Sequence, residues 1–503
     1  MSASSAPTPR VTYGNIMSEG RRGLLGLPMG VTIGAVPVIA TAMLMLTRQA
    51  WLPALALVLV GSVAVSLMVI GKRQGRTVYE RWALRRAHNA SVRAGASTYV
   101  AGPAGKVPEG SFRLPGLLAA STLIEHDDGY GNRFGVIRLP KAAHYTVVFE
   151  AFPDGDGLVD QERVDSMVEH WAAWLAHLGI EEAVVGASVT LETSIDPGVR
   201  LARMVNTNLD PSGSPFAKAV AEQLVSDLKT GSPMVSCRIA ITFSGKGHDG
   251  AGDLGADSMV EDLANRLPGL LSTLKGTGAG GSVRACTAQD IVDFTRVAYD
   301  PTVATAVEEA RGTPEGTGLT WAEAGPSIAD AELDAYFHDR AVSRTWQMWQ
   351  PPSGIFYSNV LTPLLEPIGG VIRKRVTMLY RPVPASKAAD VIESELDNAD
   401  FAGTEKRRRS ARQQQRSRYA EKAAQEEAAG AGLLRFGLLV TVSCASRADL
   451  PRADKVVGGK ANRARLRVRE ALGNQAVAFQ AALPLGVVLP EHSMMPTALR
   501  EFL

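Results

Sequence analysis

The chain has 503 residues, 46% of them hydrophobic and 21% charged, with a net charge of +2. That length suffices for several domains, and the near-balanced charge argues against a protein that is basic overall and binds nucleic acid throughout. Three cysteines, Cys237, Cys286 and Cys444, are far apart, odd in number and without a C-x-x-C pair, which argues against a disulfide scaffold and a structural zinc site.

Residues 1–23 are rich in Ser, Ala, Pro and Gly and read as a flexible N-terminus. Two uncharged apolar runs follow, Leu27 to Leu46 and Leu52 to Ile70. Each is about 20 residues, which at 1.5 Å per residue matches the roughly 30 Å hydrocarbon core of a bilayer. Only Thr47 to Trp51 separate them, so a transmembrane hairpin is expected over 24–71. Arg10, Arg21 and Arg22 precede the first run, and Lys72, Arg73, Arg76, Arg81, Arg85 and Arg86 follow the second, against Arg48 alone in the turn. This excess sets both termini in the cytoplasm and predicts a multi-pass protein of the inner (plasma) membrane. A cleaved signal peptide would have one shorter apolar core, and a buried helix pair would rarely run this long without a polar face. Pro28 and Pro53 sit at span starts, where a missing N–H costs little, whereas Pro37 would kink its helix.

Residues 72–110 form a basic juxtamembrane linker in which arginines alternate with Val78, Trp82 and Leu84. Arg81, Arg85 and Arg86 are candidate contacts to anionic headgroups or a partner, a solvated linker helix being the other reading. From 111 to 285 the pattern predicts a first α+β lobe. Phe134–Leu139 and His144–Ala151 read as paired strands, Asp160–Leu178 as an amphipathic helix and Ala183–Thr193 as a strand. Ser214–Leu228 reads as a helix, Val235–Ser244 as a strand and Ser258–Lys275 as a helix that ends at the Gly276–Gly281 loop.

A second α+β lobe is expected over 286–503. Ala341–Gln350, Arg373–Arg381, Leu434–Ala445 and Arg465–Arg469 read as strands, with helices at Ala385–Asn398 and Asn474–Ala482. The fold class is therefore α+β, a transmembrane hairpin followed by two related sandwich lobes in the cytoplasm. Within the second lobe a long basic helix is predicted at 403–430. Its Arg407, Arg408, Arg409, Arg412 and Arg416 are candidate contacts to acidic lipid, a partner or DNA, and a solvated connector is the plainer alternative.

A search for chemistry returns nothing that argues for catalysis. Gly458-Gly459-Lys460-Ala461 lacks the first glycine and the hydroxyl of a phosphate loop, and Ser244-Gly245-Lys246-Gly247 fails as well. Gly276–Gly281 follows a helix where a phosphate loop needs a strand. No Gly-x-Ser-x-Gly occurs, and adjacent acids such as Asp127-Asp128, Glu181-Glu182 and Glu308-Glu309 point to different faces. No catalytic residue, cofactor or metal is expected.

The Gly26-Leu27-Pro28 lead-in to the apolar runs resembles the two-helix inner-membrane subunit of type IV secretion and conjugation systems. Phe436–Thr441 and Gln475–Gly486 are similar to segments in the motorless N-terminal half of the conjugation ATPase that works beside it. The whole chain resembles an actinobacterial membrane-protein family of conjugative elements. That likeness is carried by Tyr13–Asn15, Phe112–Leu118, His144–Glu150, Asp160–Asp165 and Leu483–Gly486. The resemblance implies a non-enzymatic structural subunit of a conjugation-type apparatus for DNA or protein transfer. Its partners would be membrane lipids, a separate secretion or conjugation ATPase and a polytopic channel subunit in an oligomeric complex, with direct nucleic-acid binding a weaker expectation. The alternatives are a two-helix membrane component of a mycobacterial-type (type VII) secretion machine and a membrane-tethered transferase.

Overall fold

A computed structural model describes residues 29–69, 74–106, 110–153, 159–196, 198–228, 233–247, 252–352, 356–384 and 432–493, with isolated residues at 155 and between 388 and 425. The flexible N-terminus, Arg10, Arg21, Arg22, Lys72, Arg73, most of the expected helix at Ala385–Asn398 and Arg407, Arg408, Arg409, Arg412 and Arg416 lie outside the described residues.

The chain opens with α1 (Met29–Thr47) and α2 (Trp51–Val69). They pack antiparallel where side chains are small: Ala42 and Ala54 are buried, and Gly61 lies against Val38. Gln49, at φ +57°, turns the chain between them, donating its N–H to Leu46 O at 3.0 Å. The transmembrane expectation is corrected here. Among the described residues no helix is long and apolar enough to cross a membrane. The multi-pass inner-membrane localisation falls with it. What the hairpin does show is an outward apolar surface, with Leu52, Met43 and Leu55 at 82%, 64% and 60% exposure. A third helix, α3 (Val78–Arg93), follows, its start fixed by a capping box in which Thr77 accepts from Glu80 N and Glu80 accepts from Thr77 N.

Among the described residues the remainder is built on thirteen strands. In chain order they are β1 (Thr98–Val100), β2 (Thr122–Asp127), β3 (Arg133–Leu139), β4 (His144–Ala151), β5 (Val184–Ile195), β6 (Pro233–Ser244) and β7 (Arg284–Ala285). Then come β8 (Ile328–Ala331), β9 (Tyr336–His338), β10 (Ala341–Gln350), β11 (Arg373–Pro382), β12 (Leu434–Cys444) and β13 (Arg467–Glu470). The helices between them are α4 (Gln161–Ile180), α5 (Val199–Asn208), α6 (Pro215–Leu228), α7 (Ala256–Thr273), α8 (Ala288–Tyr299) and α9 (Ala304–Ala310). α10 (Thr362–Leu365), α11 (Leu450–Arg463) and α12 (Gln475–Ala481) complete the set among the described residues.

Instead of two sandwich lobes, the strands form one antiparallel sheet in the order β1-β8-β9-β10-β12-β11-β5-β6-β4-β3-β2, with β13 added on β10 and β7 on β4. The physical reason is the join. β5 and β11, each an edge within its own half, pair from Arg373↔Ser194 to Tyr380↔Ala187 and so satisfy each other's free N–H and C=O groups. The order reads the same from either end toward this seam. β2 to β6 in the first half correspond to β8 to β12 in the second, and β7 with α8 corresponds to β13 with α12.

Both faces of the sheet are covered. On one, Phe134, Val136, Tyr145, Val147 and Phe149 pack with Trp174 and Leu178 of α4 and Leu263 and Leu267 of α7. The same face in the second half packs Val376, Val440 and Val442 against Leu364 of α10 and Val457 of α11. On the other, Ile137, Val148 and Leu439 meet Ile291 and Tyr299 of α8, Phe479 of α12 and Leu483 and Leu485. Strand alternation explains this division, since odd and even residues of one strand point to opposite faces.

Candidate functional site

The layer between the sheet and α8 and α12 is polar at its centre. Glu192 of β5 lies opposite Arg375 of β11 and accepts from its Nε at 2.5 Å, and it also accepts from Arg373. Burial works against the carboxylate, yet the two guanidinium groups hold it well below the usual carboxylate range, at about 2. Arg375 rests over the Phe479 ring at 4.9 Å, and burial lowers its own pKa. The charges continue outward: Arg238 reaches Glu150 at 3.7 Å, Glu150 pairs with Arg284, and Arg284 binds Asp290 at 2.7 Å. The network is buried at its Glu192–Arg375 end, where a charge left without its partner is costly, and opens toward solvent at Arg284.

Hydroxyl pairs flank it in equivalent places. Thr146 and Thr242 meet at 3.0 Å in the first half, and Thr345 and Thr441 at 2.9 Å in the second. At the seam Thr190 meets Thr377 at 3.2 Å, and Thr377 donates to Ala482 O at 2.7 Å. The segment after α12 is thereby seated on the join. Gly486 closes that seat: its φ is +75°, and a Cβ there would fall 1.8 Å from Thr146 Oγ1. Gln480 ties in Phe112–Leu118, accepting from Leu117 N at 3.1 Å and donating to Pro115 O at 2.6 Å. Phe112–Leu118, Thr146 of β4 and the segment up to Gly486 thus meet in one polar layer.

Two open cavities lie on the opposite face. One, of about 240 Å³, is lined by Met167 and Trp171 of α4, Thr277 and Gly278, and Ser358 and Asn359. The other, of about 280 Å³, has Lys374 in its wall. Burial brings the Lys374 amine down to about 8, but Nζ donates to the carbonyls of Leu364, Leu365 and Glu366. All three N–H bonds are engaged in capping α10, so this amine is a helix cap and not a nucleophile. Among the described residues no group of three or more His, Cys, Asp or Glu could hold a metal ion. Asp127 and Asp128 shape the β2–β3 turn, accepting from Gly129 N at 2.8 Å and Tyr130 N at 2.9 Å. Gly458-Gly459-Lys460 lies inside α11, where its amides cannot wrap a phosphate.

Comparison with protein-family models and with curated proteins finds no match.

Of the sequence-predicted contacts, Arg81, Arg85 and Arg86 lie on α3, Arg85 and Arg86 exposed and Arg81 half-buried. Tyr79 and Trp82 share this helix, their rings 6.1 Å apart, and Arg86 stands 5.3 Å over the Trp82 ring. A second surface escaped sequence reasoning. α5 and α6 connect β5 to β6, and α6 turns Phe216, Val220 and Leu224 outward at 80%, 50% and 48% exposure, beside exposed Met204 of α5. The i, i+4, i+8 spacing of these three was present in the sequence, but periodicity alone does not say which side of a helix faces the core.

Proposed function

We propose that this chain is a non-enzymatic structural subunit of a conjugation-type (type IV secretion-like) transfer apparatus, a platform on which a separately encoded ATPase docks. The observation that carries the reading is the apolar surface turned outward on the α5–α6 insert. Three large side chains in one stripe would each contribute about 2 kcal/mol if a partner covered them, and contiguous patches of this kind mark interaction sites. The stripe stands on a rigid support, because β5 and β6 are central strands locked to the second half through the seam. The convergence of Phe436–Thr441 in β12 with Gln475–Gly486 in one apolar cluster supports the likeness to the ATPase's N-terminal half.

The test is co-purification of the tagged full chain with a conjugation-type motor ATPase. Phe216→Ser with Leu224→Ser is expected to weaken capture at least tenfold without changing the thermal midpoint. Undiminished capture by that double variant would sink the proposed surface. ATP hydrolysis by the purified chain that tracks with it through every column would overturn the non-enzymatic reading.

A further inference from the structure

The basic residues of this chain are not spread evenly. Residues 76–93 hold five Lys or Arg against one acid, and 452–470 hold seven against two, in a chain whose net charge is +2. The fold brings these two stretches together. Arg76 Nη1 donates to Glu470 O at 3.0 Å, placing the start of α3 beside β13. Gly75 sits against the Trp349 ring, so close that a Cβ would lie 2.8 Å from it, and Arg467 stands 6.0 Å over the same ring. Farther along, Leu84 O approaches Gly473 just beyond β13. α3 thereby exposes Tyr79 and Trp82, at 51% and 53%, among exposed Arg85 and Arg86, and exposed Arg467 joins the surface near the start of the helix through Trp349.

We infer that this α3–β13 surface binds single-stranded nucleic acid. The arginines supply sites for successive backbone phosphates, and the exposed rings supply faces on which bases stack whatever their sequence. Evenly basic surfaces attract any polyanion; exposed rings set between guanidinium groups favour a strand whose bases are unpaired. The inference deepens the transfer-apparatus reading and rests on it for the role of the strand as cargo, but it uses none of the α6 residues on which docking depends.

The experiment is fluorescence anisotropy of a labelled oligothymidine of about 20 nucleotides with the full chain, over a series of salt concentrations. Affinity is expected to fall linearly in log–log form with salt. Arg85→Gln with Arg86→Gln should reduce the slope by about 1.4, at roughly 0.7 per lost phosphate contact. Trp82→Ala should weaken binding by about 5- to 100-fold with the salt slope retained, as expected for a lost stacking platform. Thermal midpoints of the variants, unchanged from the parent, guard against unfolding as the cause. Absence of binding at low salt overturns the inference, as does equal binding by a triple variant that adds Arg467→Gln. So does capture by phosphatidylserine vesicles that the oligonucleotide does not compete away, which would make the surface a lipid site. Loss of oligonucleotide binding in variants that still capture the ATPase leaves the docking reading standing; the converse removes docking alone.

Discussion

The two halves of the sheet follow the same path and differ in what they hang on it. Between β4 and β5 the first half places the 20-residue α4, with Trp171 and Trp174 stacked at 4.6 Å; between β10 and β11 the second places, among the described residues, a 3-10 turn at Ser358–Leu361 and the four-residue α10. Between β5 and β6 stands the apolar α5–α6 insert, while the corresponding β11–β12 connection carries the basic sequence of 403–430. The interior tells the opposite story. Thr146–Thr242 and Thr345–Thr441 occupy equivalent cross-strand positions, and both halves contribute to the ion cluster at the seam. Two halves of matching strand order share their internal polar pairs and differ in their connections, which is where partners can reach.

The most severe way to break the equivalence is at the join. Glu192→Gln leaves buried Arg375 and half-buried Arg373 without their counter-charge, and chemical denaturation is expected to show a loss of about 3–5 kcal/mol. Adding Arg375→Met should recover part of it. A loss under 1 kcal/mol in the single variant would mean that the cluster does not hold the halves together.

A second expectation concerns acid. His144 sits where the second half has Ser343, facing Ser244 as Ser343 faces Ser443, and burial, with His492 and Lys246 nearby, lowers its pKa to about 4. The folded protein therefore holds this ring neutral. Its contribution is complete above the ordinary value near 6.5 and is lost as pH falls from there toward 4. His144→Ser, which makes the first half like the second, should spare on the order of 2 kcal/mol of acid destabilisation at pH 4.5. His338, likewise lowered to about 4 by burial, remains as the internal reference. Thermal midpoints from pH 7.5 to 4.5 that are parallel for parent and variant would contradict this.

Smaller effects sharpen the comparison. Thr146→Val and Thr345→Val each remove one hydroxyl of an equivalent buried pair, and equal losses of about 1–2 kcal/mol are expected. A large inequality would show that one pair carries a load the other does not. Smallest of all, Phe216→Ser should alter stability by no more than about 0.5 kcal/mol, because the ring is 80% exposed, while still impairing capture of the ATPase.

Much of this scaffold was legible because its strands are rich in β-branched and aromatic residues. The expected strands His144–Ala151 and Ala341–Gln350 coincide with β4 and β10, and the expected Leu434–Ala445 ends one residue beyond β12. What escaped has identifiable causes. β2 ends in Glu125, His126 and Asp127 because it is an edge strand, so it lacks the apolar alternation of a half-buried one. β8 and β9 are four and three residues long, too short for any period to register. α11 is absent from the sequence expectations because Gly458 and Gly459 in its interior lower its helix propensity, although Leu450, Ala453, Val457 and Ala461 form a buried face at helical spacing. The seam was invisible because nothing local in β5 or β11 distinguishes a strand that pairs within its half from one that pairs across halves. The candidate surfaces were half visible: the arginines of α3 could be read from the sequence, but their meeting with Arg467 and Trp349 is a long-range contact.

That long-range join also has a consequence in time. Thr190 meets a partner 187 positions later in the chain. At synthesis rates of about 5–20 residues per second, β5 therefore waits roughly 10–40 s on the ribosome with one edge unpaired. During that interval Val184–Ile195 presents β-prone backbone to any neighbouring nascent chain, and the first half must be shielded by a chaperone or by its own helices until β11 arrives.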